Sequence, residues 1–498
     1  MKTLWPTATT ALRRALLPGA MCALLAGATE APAATLVVDR DRAQCANARF
    51  TSIQAAVDAA RRNDQVRVCP DLYPERVVID KPLTLMGEIG AVEAVDCFGA
   101  TASQPGARDR ARQAILDPPG DGFAIALKLT ADRVTVAGLV IEGASVGIDA
   151  SDRFSGYRIH HNLIQHNTLF GIDFGSSGHR LSRVHHNCIR NTQGRIVNGF
   201  QWGWGLVSEL DDDTLWPLPP VGNDRGAYAR DLRNARIDHN DSTGNSIGFE
   251  AGGPGKRIDV RLDHNRSRLD RVGGIALQNS RASAIVANEI TDTRGGHNWL
   301  GAIWLGFANQ DLKIVGNRIT GGGATGILFY APPFRDKFDE PSKRVTVIGN
   351  QVRAAAVGIF TDDERRLGRP VALEDSAIAA NTVSGNQAAG IQVLSGLNTV
   401  ISSNTVTANF SSGIFLGARN SGSHVTANQS NNNGRNGIAA ALGSTGHLIE
   451  HNAMHGNGTR PDVTPLGVDA RDDNELLNDW IDNDCLTDSP LGAICTTG

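Results

Sequence analysis

Three acidic residues occupy the same place in a short recurring pattern. Asp149 and Asp173 each follow a Gly-Ile pair, and Glu250 follows Gly-Phe. Paired carboxyl groups hydrolyse glycosidic bonds, and they lie about 5–5.5 Å apart in retaining enzymes and about 6.5–9.5 Å apart in inverting enzymes. Asp149 and Asp173 are well separated along the chain, so a regular fold is needed to bring them together.

The chain carries a repeat of about 23–25 residues wherever no insertion lengthens it. An asparagine marks the repeat at Asn162, Asn187, Asn240, Asn265, Asn288, Asn317, Asn350, Asn381, Asn404, Asn428 and Asn452. A glycine followed by an apolar residue comes a short way after most of these asparagines, as in Gly390-Ile391 and Gly413-Ile414. Apolar and polar residues alternate over three to five positions, which indicates short strands.

Two or three short strands cannot bury their own apolar face, whereas stacked copies bury theirs in one continuous core. The repeat therefore predicts an all-β fold, a parallel β-helix built as a single-stranded solenoid with coils of about 23–25 residues. We expect the asparagines to form a hydrogen-bonded ladder and the glycines to supply an unusual backbone angle before each strand. A leucine-rich horseshoe and an ordinary sandwich are the alternatives, and the leucine grid of the horseshoe is missing.

Residues 50–88 predict a cap for the open end of the solenoid. Thr51 and Gln54 have the spacing of a helix capping box. The apolar face of this short N-terminal capping helix is formed by Ile53, Ala56, Val57 and Ala60. Together with the helix, the segment Val66–Glu75 and the following VVIDKPLTLMGE look like the N-terminal cap of right-handed parallel β-helix proteins of the pectate-lyase-like superfamily.

The coils resemble the carbohydrate-binding and sugar-hydrolase repeats of that superfamily, which includes polysaccharide lyases, mannuronan epimerases and NosD-type copper-pathway proteins. The resemblance implies a right-handed helix and a polysaccharide ligand, and it leaves the chemistry open because one fold hosts many functions. Mannuronan epimerases of this superfamily carry Asp-Pro-His-Asp after the Gly-Ile strand. Here Gly171–Gly178 keeps only the first acid, which counts against epimerisation.

Intervals longer than a bare coil predict loops near residues 191–231, 291–300, 331–343 and 361–374. All of them flank the Gly-Ile strands, so we expect them to wall a groove on that one sheet. Neighbouring strand residues point to opposite faces, so the residue after each inward isoleucine should face the groove. Down the stack these outward residues are Asp149, Asp173, Val207, Glu250, Ala276, Trp304, Leu328, Phe360, Gln392, Phe415, Ala439 and Asp469.

The predicted stacking places Asp149 and Asp173 one coil apart, about 5 Å, which suits a retaining pair. Asp173 and Glu250 would lie two coils apart, about 9–10 Å, near the inverting separation. These three are the candidate catalytic residues for action on a polysaccharide. Two other interpretations remain, a calcium site formed by stacked carboxylates and surface acids without a role.

Aromatic residues are concentrated on the same strands and in their loops, where tryptophan suits stacking on a sugar ring. The candidate substrate-binding residues are Trp202, Trp204, Trp216, Trp299, Trp304, Tyr330 and Phe360. The alternative role for these side chains is to pack the loops against the body of the protein, without any contact to a ligand.

A histidine directly precedes five of the ladder asparagines, at His161, His186, His239, His264 and His451. Stacked imidazoles could bind copper, in keeping with the NosD-type resemblance. The other interpretation is that histidine suits a half-exposed turn. It is favoured because no second type of ligand accompanies the column at fixed spacing. We therefore predict no metal site in this column and no required cofactor, and calcium at the carboxylates stays an alternative.

Residues 1–33 have the organisation of a secretory signal, in which Lys2, Arg13 and Arg14 precede the apolar stretch 15–28 and Ala31-Pro32-Ala33 ends it. Cleavage removes three positive charges and one negative charge, which takes the net charge from −4 to −6. An acidic protein is excluded as a nonspecific nucleic-acid binder. No later apolar run approaches the length of a membrane span, and we expect a secreted or periplasmic monomer.

Six of the seven cysteines lie after the signal, an even number that fits disulfides in an oxidising compartment. Short loops at the two ends of the chain, followed by elimination, give the pairs Cys45–Cys69, Cys485–Cys495 and Cys97–Cys188. The predicted organisation is a signal peptide over 1–33, an N-terminal cap with the first coils over 34–90, a β-helix over 91–470 and a disulfide-closed C-terminal cap over 471–498.

The sequence thus predicts an exported β-helix that binds and processes a polysaccharide by hydrolysis, elimination or epimerisation in a groove on one sheet. The alternative is a non-catalytic periplasmic or extracellular β-helix that binds a glycan or takes part in a metal pathway, as NosD-type proteins do. A defined set of acid and base groups in the groove would separate the two.

Overall fold

The computed structural model describes residues 33–87, 97, 110–120, 124–192, 195–197, 200–202, 204–207, 231–252, 258–293, 301–306, 308–330, 340–362, 371–460, 467–475 and 477–495. Nearly all of the predicted signal peptide and most residues of the four predicted groove loops lie outside these ranges. Within them the chain winds through three long parallel sheets, and each full coil contributes one strand to each sheet. No helix in the described ranges is long and apolar enough to cross a membrane.

The first two sheets stand on either side of the asparagine turn. The first sheet has 16 strands. They are Thr35–Val38, Gln65–Val68, Thr84–Gly87, Thr135–Ala137, Arg158–His160, Ser176–His185, Leu232–Asp238, Ile258–Asp263, Ala284–Val286, Lys313–Val315, Thr346–Ile348, Ala377–Ala379, Val400–Ser402, His424–Thr426, Leu448–Glu450 and Asp479–Ile481. The 15 strands of the second sheet are Asp71–Tyr73, Ala114–Leu116, Val140–Glu142, Leu163–Gln165, Cys188–Arg190, Asp241–Thr243, Arg266–Arg268, Glu289–Thr291, Arg318–Thr320, Gln351–Arg353, Thr382–Ser384, Thr405–Thr407, Gln429–Asn431, Ala453–Met454 and Asp484–Cys485.

The third sheet contains the Gly-Ile strands. Its main column is Val77–Ile79, Ile125–Leu129, Val146–Ala150, Phe170–Phe174, Trp204–Val207, Ile247–Gly252, Gly273–Gln278, Gly301–Leu305, Thr325–Phe329, Ile359–Thr361, Ile391–Leu397, Ile414–Ser421, Ile438–Ala440, Ala470–Asp472 and Asp488–Ser489. Two short strands, Ser342–Lys343 and Leu373–Glu374, lie beside this column and pair onward to the end of Ile391–Leu397. One antiparallel pair in the described ranges joins Arg195–Val197 to Phe200–Trp202.

The register between coils follows the sequence repeat. Thr382 pairs with Thr405, and Ile391 pairs with Ile414, in each case one repeat further along the chain. The inward side chains of the three sheets form one continuous apolar core from Val38 to Ile494. The fold is therefore the predicted right-handed parallel β-helix, and most of its stability comes from stacking neighbouring coils.

The predicted asparagine ladder is confirmed. At every step the Nδ2 of one asparagine donates to the Oδ1 of the next, for example from Asn381 to Asn404 at 3.0 Å and from Asn404 to Asn428 at 2.9 Å. The same bond joins all the other predicted members. The ladder continues to Asn483, which receives the amide of Asn452 at 3.0 Å. The asparagines thereby satisfy buried polar groups at one bend of every coil.

A second ladder, which the sequence analysis did not anticipate, fills the bend between the second and third sheets. Side-chain amides donate in series along Asn386, Asn409, Asn433, Asn457 and Asp469. Asp270 holds the equivalent place higher in the stack, where its Oδ1 accepts from the backbone N–H of Asn245 at 2.9 Å. Oγ of Ser267 donates to its other oxygen at 2.6 Å. A fully buried carboxyl group therefore stands in a column of amides.

The glycines of the Gly-Ile pairs have a different role from the predicted one. None of Gly147, Gly171 and Gly205 has a positive φ. A Cβ at Gly147 would lie 2.5 Å from the carbonyl oxygen of Gly171, and a Cβ at Gly171 would lie 2.5 Å from that of Gly205. Glycine is needed there because consecutive coils approach too closely for a side chain, and the expectation of an unusual backbone angle is wrong.

The N-terminal helix is Ile53–Ala59, and it packs against the first coils. The predicted apolar face is confirmed, since Ile53, Ala56, Val57 and Ala60 are buried. The predicted capping box is wrong, because the cap is Ser52, whose Oγ accepts from the N–H of Ala55 at 3.3 Å. Glu75 supplies the carboxylate that a capping box would contain, and it accepts from the N–H of Ile53 at 2.7 Å.

All three predicted disulfides are present, as Cys45–Cys69, Cys97–Cys188 and Cys485–Cys495. Their sequence separations are 24, 91 and 10 respectively. The short ones lie at the two ends of the solenoid, and the long one fastens Cys97 to the second sheet.

Candidate functional site

The outward row of the third sheet has the predicted register over nearly all of its length. Asp149 pairs with Asp173, which pairs with Val207, and from Ala276 to Ala439 each predicted member pairs with the next. The last member is wrong, because Ala439 pairs with Arg471 and not with Asp469. Asp469 instead ends the second ladder, where it accepts the amide of Asn457 at 2.9 Å.

The acidic end of the row is buried. Asp149 is 2% exposed and Asp173 is 0% exposed, although both stand on the outer face of the sheet. Lys128 precedes them in the same register, and its Nζ lies 3.8 Å from Oδ2 of Asp149. The structure therefore places a lysine and two carboxyl groups in consecutive coils. Lys128 was not predicted as a site residue because its strand has no Gly-Ile pair.

Glu250 lies apart from this cluster. Leu206 pairs with Phe249, so Val207 separates Glu250 from Asp173 by one coil. The Glu250 side chain is half-buried, and its Oε1 accepts from Nε2 of Gln278 at 3.2 Å. Two strand spacings of about 4.8 Å separate the backbones of Asp173 and Glu250. Asp149 and Asp173 thus lie in adjacent coils, whereas Glu250 is an acidic side chain on the same sheet face that lies apart from them.

Half-buried aromatic side chains follow further down the row. Trp304, Phe360 and Phe415 share the outward register, with Leu328 and Gln392 between them. The ring of Tyr330 lies 6.3 Å from that of Trp304, centroid to centroid. Together these residues form an aromatic row on an outer sheet face.

Of the other predicted aromatic residues, Trp202 and Trp204 lie on described strands. Trp202 ends a strand of the antiparallel pair, opposite Arg195. Trp204 pairs with Phe170, which is buried. Trp216 and Trp299 lie outside the described residues.

The histidine column is a continuous stack over four coils. The ring centroids of His161 and His186, of His186 and His239, and of His239 and His264 are 5.1, 5.1 and 5.0 Å apart. Each of these histidines has a positive φ of 53–55°. The regular turn and the asparagine ladder beside it hold successive rings nearly parallel. His451 has the same turn conformation, but it lies several coils away from this stack.

A further potential ligand does accompany the stack, in the residue directly before each of its four histidines. These residues are His160, His185, Asp238 and Asp263. Nδ1 of His160 lies 2.9 Å from Nδ1 of His161, and the same atoms of His185 and His186 are 2.8 Å apart. Nδ1 of His239 and His264 meet Oδ2 of the preceding aspartates at 2.8 and 3.0 Å. The sequence signal for these adjacent ligands is a triplet that ends on a ladder asparagine, His-His-Asn in the first two coils of the stack and Asp-His-Asn in the next two.

Burial and neighbouring charges fix the ionisation of this cluster. Burial is the largest cause that lowers the pKa of His185 to about 4, and the positive charge of Arg183 adds to it. Burial and the adjoining histidines also lower the pKa of His160. Burial alone would raise the pKa of Asp238, but hydrogen bonds from Arg183 and His239 outweigh it and lower that pKa to about 2. At neutral pH His185 is therefore a neutral imidazole, in the same cluster as the ionised carboxylate of Asp238.

Groups of three metal-ligand atoms that lie within 4.8 Å of one another occur, in the described ranges, only near the N-terminal cap. One group is Asp39, Cys45 and Cys69, in which the cysteines are joined as a disulfide and cannot ligate. The other is Asp39, Asp41 and Asp71. Asp39 already accepts the N–H groups of Gln44 and Cys45.

Comparison with known proteins gives one family match. The model of the family described as periplasmic copper-binding protein (NosD) matches residues 258–465. This match covers less than half of the 498 residues. It begins after Asp149 and Asp173 and after the first three of the four stacked histidines. No curated protein matches the chain.

Solved structures with similar coils include a mannuronic acid specific polysaccharide family 6 lyase from human gut microbiota. It shares 13% identity over 89% of this chain and 92% of that one, with a TM-score of 0.44. The Azotobacter vinelandii mannuronan C-5 epimerase AlgE6 A-module shares 12% identity over 90% of this chain and 94% of that one, with a TM-score of 0.41. The Dettilon tailspike protein shares 13% identity over 84% and 65%, with a TM-score of 0.40.

These likenesses concern the coiled architecture, which the parallel sheets establish independently. The chain is a right-handed parallel β-helix protein, and its residues 258–465 are similar to the periplasmic copper-binding protein (NosD) family.

Proposed function

We propose that this protein binds a polysaccharide or oligosaccharide chain along the outer face of its third sheet and processes it there. The observation that supports binding is the aromatic row of Trp304, Phe360 and Phe415, in which each side chain is only half-buried. Aromatic rings at spaced positions along one face suit stacking on sugar rings. Tyr330 beside Trp304 and Gln392 within the row supply polar groups for hydroxyls.

The candidate for processing is the pair Asp149 and Asp173, which the register places about one strand spacing, roughly 4.8 Å, apart. Two carboxyl groups at that spacing suit acid–base or nucleophilic chemistry on a glycosidic bond. Nζ of Lys128 lies 3.8 Å from Oδ2 of Asp149, so the pair is accompanied by a basic group. Both carboxyl groups are buried, so a substrate must replace their present contacts, whereas binding at the aromatic row needs no such exchange.

The second candidate is a glycan-binding or metal-pathway β-helix without chemistry of its own. The match to the periplasmic copper-binding protein (NosD) family over residues 258–465 and the burial of both acids favour it. For either function we propose a monomer outside the cytoplasm, and the three disulfides support that location. Calcium held by the stacked carboxylates would act as a structural ion in both.

The test is a panel of neutral and acidic glycans, measured for affinity and for released product, with calcium or with EDTA. We expect Trp304→Ala and Phe360→Ala each to weaken binding about three- to tenfold, because one stacking contact is lost. Phe410→Ala is the matched control, since Phe410 is exposed, packs against Arg460 and is not a member of the aromatic row. Equal losses in all three variants, or no bound glycan, would contradict the proposed binding face.

Processing is tested in the same assay with Asp173→Asn, which keeps the volume of the side chain and removes its charge. If the pair is catalytic, turnover should fall about 100-fold or more while glycan affinity is kept. Binding without any product from the wild-type protein supports the non-catalytic candidate. Loss of a calcium-dependent rise in melting temperature in this variant would identify a calcium site instead.

A further inference from the structure

The histidine column begins with His161 and His186, and in both places the preceding residue is also a histidine. At His239 and His264, further along the column, the preceding residue is an aspartate. In His160–His161 and His185–His186 the two Nδ1 atoms of each pair are only 2.9 and 2.8 Å apart. The two rings of each pair are almost perpendicular, at 89° and 83°. Each pair thus aims two imidazole nitrogens at one small volume.

The turn explains why neighbouring residues can do this. In a strand, consecutive side chains point to opposite faces. His161 and His186 have φ of 53° and 54°, and this left-handed turn brings each ring to the same side as its predecessor. The asparagine ladder fixes the turn, since Nδ2 of Asn162 donates to the carbonyl of His160 at 3.0 Å and Nδ2 of Asn187 donates to that of His185 at 3.1 Å.

We propose that each histidine pair chelates one divalent transition-metal ion of the kind that prefers imidazole, such as Ni²⁺, Cu²⁺ or Zn²⁺, through its two Nδ1 atoms. Metal–imidazole bonds of about 2.0–2.1 Å place two nitrogens about 2.9 Å apart at the right angle of square-planar Cu²⁺ or Ni²⁺, and about 3.3–3.4 Å apart at the tetrahedral angle of Zn²⁺. The two Nδ1 atoms of each pair already have the first of these spacings. Binding needs small ring rotations and a shift of the shared proton from Nδ1 to Nε2 of the same ring, so that both imidazoles stay neutral, with water completing the coordination.

The arrangement predicts two separate ions. Rings of the two pairs stack at 4.9 Å between His160 and His185 and at 5.1 Å between His161 and His186. A single ion with bonds of about 2 Å cannot reach the Nδ1 atoms of both pairs across that gap. Arg183 lies near the pair His185–His186. Its positive charge is paired with Asp238, whose Oδ1 accepts a hydrogen bond from Nε of Arg183 at 2.7 Å.

The Asp-His steps below provide an internal comparison. Nδ1 of His239 and of His264 already meets an aspartate that also accepts from an arginine. Each of these steps offers one imidazole and a carboxylate already engaged by a guanidinium. Both histidine pairs also lie outside the residues that match the NosD family.

The test is metal binding by the purified full chain, measured by equilibrium dialysis with Zn²⁺ and by electron paramagnetic resonance with Cu²⁺. We expect two ions per chain, and with Cu²⁺ a spectrum showing dipolar coupling between ions about one coil, roughly 5 Å, apart. His160→Gln or His185→Gln should each remove one ion and abolish the coupling. The double variant should bind neither ion tightly.

His264→Gln is the matched control, because it removes a stacked imidazole from the same column without touching either pair. It should keep both ions and the coupling. Melting curves in EDTA show whether each variant is folded, and His161→Gln or His186→Gln replaces any that is not. One ion or none in the wild type, unchanged stoichiometry in the pair variants, or an equal loss in His264→Gln would overturn the assignment.

Discussion

Single residues in this protein have roles set by burial as much as by residue type. Asp149 and Asp173 stand on the outer face of a sheet and yet are shielded from solvent. Asp238 and Asp263 are also buried, but arginines and histidines pair with their oxygens. Asp270 is the exception, because its partners are neutral hydroxyl and amide groups. The same side chain is therefore a candidate catalyst, an orienting partner or a source of instability, according to what surrounds it.

Asp270→Asn should stabilise the protein above neutral pH. Burial raises the pKa of Asp270 to about 6 from its usual 3.8. Below pH 3.8 the carboxyl is protonated in both the folded and unfolded protein, and its destabilising effect grows until the pH passes about 6. A shift of about two units corresponds to roughly 3 kcal/mol.

Urea unfolding of both proteins at pH 4 and pH 8 measures this effect. The advantage of the variant should be largest at pH 8, since asparagine cannot ionise and fits a column of amides. Asp259→Asn, the same substitution at an exposed position, is the control for the change of residue type. An Asp270→Asn variant whose stability follows the wild type at both pH values would show that Asp270 carries no such penalty.

Among the elements, the turns contain more position-specific side-chain contacts than the strands do. The strands are mostly short and interchangeable in pattern, whereas each bend has its own ladder of side chains. Asn404 shows how much one ladder member does. Its amide donates to the carbonyl of Ile378 and to Asn428, and its oxygen accepts from the backbone and side chain of Asn381. The same ladder stabilises the turns that carry the histidine pairs. Residues that stabilise the fold and candidate metal ligands therefore lie in the same turn.

Asn404→Ala should lower the free energy of unfolding by about 1–3 kcal/mol, because buried donors in the neighbouring coil lose their acceptor. Gln429→Ala tests whether the loss is specific to the ladder. Gln429 is exposed and stands directly after the ladder residue Asn428, and its replacement should change stability by less than about 0.5 kcal/mol. Equal melting midpoints for Asn404→Ala and wild type would count against the ladder as a stabilising device.

The whole molecule is a stack in which each coil contacts its neighbours, so its ends and its covalent links have a large effect on stability. The helix Ile53–Ala59 covers the N-terminal end of the core, and Cys485–Cys495 fastens the last coil. Cys97–Cys188 links residues that are 91 positions apart and so restrains the unfolded chain most. Local opening at one end need not unfold the rest.

Removal of the disulfides one pair at a time should destabilise the protein in order of loop length. Loop-closure entropy predicts losses of about 4–5 kcal/mol for Cys97–Cys188, about 3–4 for Cys45–Cys69 and about 2–3 for Cys485–Cys495. Paired Cys→Ala variants compared by urea unfolding check the order, and a non-reduced digest checks the pairing. Free thiols at these positions, or the largest loss from Cys485–Cys495, would contradict it.

The sequence by itself determined the solenoid and most of its register. A side chain at a fixed place in a sequence repeat must meet its copy in the next coil, because parallel strands align equivalent positions. Asn381, Asn404 and the outward row from Asp149 to Ala439 followed from that rule alone. The rule failed at Asp469, where an irregular final interval shifts the phase and brings Arg471 into the row.

Tertiary structure decided what the repeat does not encode, which is side-chain direction at turns and burial on the outer face. The left-handed turn at His161 and His186 places adjacent imidazoles together, although strand alternation would separate them. Lys128 joined the acidic pair only through three-dimensional register, since its strand lacks the repeat marker. The sequence repeat determines which residues of neighbouring coils lie one above the other. Local backbone angles and the packing around each residue determine where its side chain points and what it contacts.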